Sequence, residues 1–436
     1  MISVEQTDDL SLVLGRDITL AERELATGGE GKIYRIKEDP LSVAKIFHKP
    51  SPEKAEKIDA MLANPPDDPA YEETGHISIA WPTARILDAG GRCCGFAMPY
   101  INPQDSFPLL KVYNPQDRLQ TVAEFTWQYL MRIALNLASI VKELHKKGYI
   151  IGDLNESNVI VTTRALVTLV DCDSIQVLKY TPDFWGRVRG KKREYFRCTV
   201  GKPEYTPPEL QGRDFSQFDR KKQHDNFGLA ILIFLLLMEG RHPFSGVWRG
   251  KGSPPTLPQS IKNGYFPYLK SGLLVPPPHA LPFTILPTSI QDLMISCFVD
   301  HHHQATQGRP TANAWYMALK KSEKHLIPCK KNSAHMYDDH LEESCPWCKR
   351  AKLGNDPFPQ QTRTRIQQRP RIRIVHAVKQ YAIVLLMFVF LAATYFGEYR
   401  FWPYYSHWLG PVLEWTALLF GPIVLCLFLY RRFWDS

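Results

Sequence analysis

Up to about residue 360 this 436-residue chain has no apolar run long enough to cross a bilayer. Residues 1–10 are acidic and lack the apolar core of a secretory leader, so a cleaved signal peptide is not expected. Cysteine is sparse: nine residues, an odd number, with spacings that exclude a secreted disulfide framework and fit a reducing, cytoplasmic compartment. No internal repeat is found. The basic stretch 187–197 has no stacking platform interleaved with its charges, which ranks a nucleic-acid-binding role last.

What is present is an ordinary globular composition, 44% hydrophobic and 22% charged, laid out unevenly. Two apolar runs dominate the last sixty or so residues. The net charge of +9 is concentrated in 187–197 and 363–373. Short β-like runs are expected at 24–27, 32–36, 42–47, 84–87 and 95–101, interrupted by a helix over 52–63. From residue 122 the period turns helical. A helix is expected over 125–147, ending at Gly148, then strands at 159–161 and 166–169, then mostly helix beyond Pro207, including the very apolar 225–238. A small β-rich lobe followed by a larger helical lobe is the expected α+β architecture.

The first chemical signal is Ala26-Thr27-Gly28-Gly29-Glu30-Gly31-Lys32-Ile33, a glycine-rich turn between two strands. Glycines there let backbone N–H groups approach phosphate oxygens with no Cβ in the way. Next, Ser42-Val43-Ala44-Lys45-Ile46-Phe47 places one lysine in an apolar strand, where an inward ammonium needs an anionic partner such as a phosphate. On this segment alone, a lysine that snorkels to solvent fits equally well. Then come Ile151-Gly152-Asp153-Leu154-Asn155-Glu156-Ser157-Asn158-Val159-Ile160-Val161 and Leu169-Val170-Asp171-Cys172-Asp173. Single acidic residues after strands are common in turns; three at these offsets, behind the glycine loop and Lys45, are not.

The last two stretches resemble the catalytic loop and the metal-binding loop of the protein kinase superfamily. The resemblance continues through Gly201-Lys202-Pro203-Glu204-Tyr205-Thr206-Pro207-Pro208-Glu209, similar to the end of an activation loop; Asp225-Asn226-Phe227-Gly228, similar to a buried-aspartate helix start; and Arg309-Pro310-Thr311-Ala312, similar to the turn whose arginine pairs with that glutamate. It covers roughly 20–325. It implies a bilobal fold, ATP with Mg²⁺ or Mn²⁺, and protein substrates, the chain itself among them. Asp153 takes the base position and Asn158 and Asp171 the metal positions. Ala26, Gly28, Gly29, Gly31 and Ile33 fall at the phosphate loop. Lys45 takes the phosphate lysine with Glu56 as its partner, Glu53 being the alternative. Met98 is the gatekeeper, the Ile101 backbone faces adenine, and Ile160 lies in the nucleotide pocket. The Gly-Asp-Leu-Asn and Asp-Cys-Asp-Ser forms further resemble a bacterial group of eukaryotic-like Ser/Thr kinases that carry a Cys/His segment after the kinase domain, with roles in signalling or stress response.

Several positions depart from the pattern. Ala26 replaces the first loop glycine. Ile151 and Gly152 stand where histidine and arginine usually precede the catalytic aspartate, which removes the usual docking cation for a phosphorylated activation loop. Cys172 and Asp173 replace phenylalanine and glycine after Asp171. Asn155 replaces the lysine two residues after the base, while Lys202 stands where a threonine is usual. The expectation drawn is that Lys202 reaches back to supply the missing charge beside the Asn155 amide.

Beyond 326, Cys329, His335, Cys345 and Cys348 form C-x5-H-x9-C-x2-C, a spacing that offers tetrahedral Zn²⁺ four ligands in a segment too short to bury a core; His340 is the alternative to His335. His301-His302-His303 reads as a solvated loop. The kinase domain is drawn at 15–326, the zinc segment at 327–351 and a basic Pro/Gln/Arg linker at 352–378. Membrane helices are drawn at 379–397 and 409–430, around an aromatic loop at 398–408. Arg363, Arg365, Arg369, Arg371, Arg373 and Lys379 before the first span and Arg431 and Arg432 after the second predict an inner-membrane hairpin with both termini cytoplasmic. Two competing readings remain: a small-molecule phosphotransferase, and a pseudokinase scaffold without turnover.

Overall fold

The computed structural model of the chain describes residues 10–12, 16–121, 125–179, 194–269, 272–303, 308–342 and 344–360. Alternating apolar side chains produce an N-terminal antiparallel sheet. Its strands are β1 (Leu10–Leu12), β2 (Arg16–Ile18), β3 (Leu20–Thr27), β4 (Gly31–Ile36), β5 (Ser42–Phe47), β6 (Ala84–Leu87) and β7 (Cys93–Pro99), in the order β2-β1-β6-β7-β5-β4-β3. Ile36, Ala44, Ile86 and Ala97 bury one face, while Val43, Phe47, Phe96 and Met98 join the main core on the other. Both faces are thus covered, and Lys45 sits in the middle of a buried strand.

Between β5 and β6 runs α1 (Pro52–Ala63). It starts where Ser51 Oγ accepts from the Lys54 N–H at 3.2 Å with proline at the first helical position, a strong start signal. Its buried residues, Ile58 and Met61, fix which face meets the sheet.

The helical lobe is organised by α2 (Trp127–Lys146) and α3 (Lys222–Leu237). The second is apolar all round and buried from His224 to Leu237, as a helix at the centre of a lobe must be. The helix starts one turn earlier than the expected 225, where the Lys221 N–H donates to His224 Nδ1 at 3.1 Å. Against these lie strands β8 (Ser106–Pro108), β9 (Val159–Thr162) and β10 (Val167–Leu169), the pair β11 (Val177–Lys179) and β12 (Glu194–Phe196), and helix α4 (Ala312–Lys324). The first three form their own sheet, whose central strand, β9, directly follows the catalytic-loop segment.

The Cys/His segment is β13 (Leu326–Pro328), β14 (Met336–Asp338) and α5 (Pro346–Lys352). It is seated on the helical lobe. The Trp347 ring lies 5.8 Å from Trp127 and 4.8 Å from Phe358, and Arg118 donates to the carbonyls of Val112 and Pro357. His302, expected in a solvated loop, is buried with its Nε2 2.7 Å from the Ile261 carbonyl. Its neighbours Phe227 and Phe244 explain the burial. Among the described residues no helix is long and apolar enough to cross a membrane; both expected spans lie outside the described residues.

Candidate active site

The site is built where the sheet meets the catalytic loop. Lys45 on β5 is buried, and its Nζ lies 2.7 Å from Asp171 Oδ1 and 2.7 Å from Asp173 Oδ1. Burial alone would lower the lysine pKa; the charges of Asp173 and Asp171 outweigh it, so the ammonium is held well above its usual range. Asp171 is pushed the other way from an ordinary ion-paired carboxylate: burial and the Asp173 charge raise it despite Lys45. One ammonium facing two carboxylates leaves negative charge in a partly dry site, and a divalent cation with phosphate oxygens fits that deficit. Asp171 adopts φ 59° and ψ 38°, a left-handed conformation that aspartate tolerates better than most residues.

Asp173 is the residue that sequence reasoning missed. From the sequence it stands only as the residue in place of a usual glycine, yet its side chain is buried and ion-paired. The signal was available in the added carboxylate two residues after Asp171. The expected Lys45–Glu56 pair does not form. Glu56 is mostly exposed and lies 3.5 Å from Lys179 instead, and the alternative, Glu53, is exposed as well. The helical register is the cause: Ile58 and Met61 face the core, and the residues turned inward with them are Lys54 and Lys57 rather than the glutamates. Lys54 reaches Glu30 in the glycine-rich turn at 3.2 Å. Burial lowers the Lys57 ammonium below the usual lysine range against the attraction of Asp173.

The catalytic loop is pinned from below. Asp225, at the start of α3, is buried and accepts from the N–H groups of Ile151 at 2.7 Å and Gly152 at 2.8 Å, with His145 Nε2 at 2.9 Å. Above it, Asn155 Nδ2 donates to Asp153 Oδ1 at 2.8 Å, and Asn158 Nδ2 donates to the Asp153 carbonyl at 3.0 Å. Asn155 is itself buried and caps the short turn that follows by accepting from Ser157 N. The Lys202 N–H points at Asp153 Oδ1 at 3.3 Å, while its Nζ lies 3.1 Å from Glu156 and 2.5 Å from Ser157. Lys202 therefore stands on the wall of the site beside Asn155, with Glu156 offsetting its charge.

The remaining candidates lie on the N-terminal sheet, just after it, and on β9. Gly28 and Gly29 open the turn between β3 and β4, where an added Cβ on Gly29 would meet nothing within 4 Å. Gly31 is required for packing: a Cβ there would meet the Ile46 carbonyl oxygen at 2.3 Å. Ala26 pairs with Ile33 across the hairpin. Met98, on β7, pairs with Val43 of β5 and is buried; Ile101 follows β7, and Ile160 lies on β9. Farther down, Arg309 and Glu209 form the expected two-pronged pair, with both nitrogen–oxygen distances 2.8 Å.

In the Cys/His segment the ligand atoms of Cys329, His335, Cys345 and Cys348 all lie within 4.8 Å of one another. His335 Nδ1 is 3.6 Å from the sulfurs of Cys345 and Cys348, and the sulfurs of Cys329 and Cys348 are 3.5 Å apart. A zinc tetrahedron with Zn–S bonds of about 2.3 Å has edges of about 3.5–3.8 Å, so these donors fit the ion. Burial raises the Cys329 thiol, but the N–H groups of Lys331 and Asn332 outweigh it and lower the net value, favouring thiolate. The opposite ring nitrogen of His335 lies 2.9 Å from Asp356 Oδ1, the outer-shell carboxylate that fixes a ligating tautomer. His340 is held elsewhere, by Asp338 and the Thr284 carbonyl.

Comparison with known proteins agrees with this geometry. No protein-family profile matches the chain. It is 34% identical over 337 residues to the protein kinase YegI of Escherichia coli K12, covering 76% of this chain and 49% of that protein. The corresponding protein of Escherichia coli O157:H7 is 34% identical over 331 residues, covering 75% and 48%. The chain thus spans about half the length of the curated relatives it matches.

Proposed function

This chain belongs to the protein kinase family, and from that premise we propose that it transfers the γ-phosphoryl group of ATP to serine or threonine hydroxyls of proteins, itself included. The observation that carries the reading is the pair of clusters Lys45–Asp171–Asp173 and Asp153–Asn155–Asn158, joined where the Val170 N–H, one residue before Asp171, donates to the Asn158 carbonyl at 2.9 Å. Bound Mg-ATP supplies the phosphoryl group and its charge neutralisation. Lys45 and the glycine-rich turn would hold its phosphate oxygens, and Asp171 and Asn158 would hold the metal, with Asp173 beside them. Asp153 accepts the proton of the incoming hydroxyl, and its carboxylate is kept in place by the Asn155 amide. Lys202 supplies a cation on the acceptor side, in place of the lysine that Asn155 replaces.

The same reading extends to the rest of the chain. Kinase lobes over 15–326 carry a structural zinc site at Cys329, His335, Cys345 and Cys348, closed by four protein ligands and without an open position for chemistry. Residues 356–358, expected in the linker, pack onto the Cys/His segment, and the chain beyond them leads to the two apolar runs, which anchor the kinase to the inner membrane with both termini cytoplasmic; the arginines flanking the runs and the aromatic loop between them support that orientation.

Incubating the full-length chain with Mg-ATP and mapping phosphosites by mass spectrometry tests the reading. Phosphoserine or phosphothreonine on protein is the expected product. ATP binding with no transfer would favour a scaffold. Transfer confined to a small molecule would favour the phosphotransferase reading.

A further inference from the structure

Gly152 occupies the place where the family's catalytic-loop arginine would stand, and the space beside it is filled by another arginine. Gly152 has φ +75°, and a Cβ there would meet Cys198 Sγ at 2.7 Å and Arg220 Nη1 at 2.9 Å. Arg220 immediately precedes the capping residue of α3 and is buried. Its Nη1 donates to the Gly152 carbonyl, and its Nη2 donates to the Val200 carbonyl at 2.5 Å. The guanidinium plane sits 3.9 Å from the Phe215 ring centre. Gly201 makes room for it, since a Cβ there would lie 3.0 Å from both Arg220 Nη2 and the Phe215 ring.

The arginine is held from behind. Its backbone N–H donates to Gln176 Oε1 at 2.8 Å, and its carbonyl accepts from Gln176 Nε2 at 3.0 Å. Gln176 is in turn bonded to the backbone of Ile150, one residue before the catalytic loop. Two rigid donors on one planar group therefore tie the catalytic loop to the segment 200–202. The next contact along that segment is the Lys202 N–H on the Asp153 carboxylate, at 3.3 Å. A lysine ammonium lacks the planar fork and the stacking face that meet both carbonyls and the Phe215 ring at once.

We propose that Arg220 is a positioning residue that fastens the acceptor-side wall, residues 200–202, to the catalytic loop without any phosphate on the activation segment. With both Nη groups on backbone carbonyls, its face on Phe215 and its unpartnered Nε sealed from solvent, the guanidinium is not available to dock a phosphate. The wall is therefore set by the fold, and turnover is independent of prior phosphorylation. The inference rests on the kinase reading above and deepens it.

The test uses the full-length chain stripped with a phosphatase, with Arg220→Met and Arg220→Lys beside the parent. The stripped parent should start at its full rate without a lag. Arg220→Met should lose on the order of 10²-fold in kcat, the usual cost of misplacing a reacting group by about an ångström. Its KM for ATP should stay within about twofold of the parent, because the nucleotide side is untouched. Arg220→Lys should fall between the two. Amide hydrogen exchange should rise at 198–202 in both variants while α3 stays protected. Parental kcat in Arg220→Met would overturn the proposal. So would a stripped parent that is silent until rephosphorylated, or loss of protection throughout α3 in both variants, which would make Arg220 a stability residue only. If the parent transfers no phosphate under any condition, the kinase reading fails, and exchange at 198–202 still decides whether the clamp exists.

Discussion

Replacing Asp225 with asparagine should loosen the catalytic loop by an amount that can be worked from its contacts. The carboxylate serves three donors: Oδ2 takes the Ile151 N–H at 2.7 Å and His145 Nε2 at 2.9 Å, and Oδ1 takes the Gly152 N–H at 2.8 Å. An amide oxygen in the Oδ2 position keeps the first two, but its –NH₂ then faces the Gly152 N–H, donor against donor. Leaving one buried N–H unpaired costs about 1–3 kcal/mol, and loss of charge assistance on the other two adds about 1 kcal/mol. Asp225→Asn should therefore lower stability by about 2–4 kcal/mol, a sizeable part of the 5–15 kcal/mol typical of a domain. Asp225→Ala strands all three donors and should approach the limit of folding. Urea unfolding of the two variants against the parent measures the difference as a midpoint shift at unchanged slope. A loss below about 0.5 kcal/mol for Asp225→Asn would show that these bonds are not holding the loop, and the account of Asp153 placement would fall with it.

Further expectations follow from other parts of the structure. Cys345→Ser should bring bound zinc close to zero and expose the segment after Leu326 to protease; parental stoichiometry in the variant would remove Cys345 from the ligand set. Lys202→Ala should lower turnover on the order of 10-fold or more with little change in ATP affinity, and a parental rate would assign the lysine to its Glu156 contact alone. His224 and His302 are buried, and burial brings each pKa down to about 4 from an ordinary 6.5. Both stay neutral in the fold while the unfolded chain takes up protons. Their stabilisation is complete above about pH 6.5 and is lost as pH falls toward 4, at about 1.4 kcal/mol per pH unit for each. Stability that is flat from pH 6.5 to 5 would contradict it.

Much of the site was legible in the sequence because it is written in local patterns. Helix 52–63 and strands 42–47 and 84–87 match their expected bounds, each having a clear period, with a Ser-Pro start for the helix. The choice of cysteines in the metal cluster was legible from their spacing, and the Arg309–Glu209 pair, a hundred residues apart, only through the resemblance of its two segments to kinase motifs. What was not legible depended on helical rotation and on long-range burial. Whether Glu56 or Lys57 faces inward is settled by how Ile58 and Met61 seat on the sheet, and a twelve-residue helix with charges on most faces does not declare that. His302 reads as part of a polar run, yet it is drawn into an aromatic cluster made by residues some sixty and seventy-five positions away, Phe244 and Phe227. Asp356, which orients His335, lies outside the Cys/His spacing and was visible only once the chain had folded back.

The central claim is that Asp153 is the base of a phosphoryl-transfer site and not a remnant of one. Its most direct test is transfer of labelled γ-phosphate to protein by the full-length chain and by Asp153→Asn, with Mg-ATP binding followed in parallel as thermal stabilisation. Transfer by the parent, its loss in Asp153→Asn, and equal nucleotide stabilisation of both are the predicted results. Equal transfer by the two proteins, or none by a parent that binds Mg-ATP, would contradict the account.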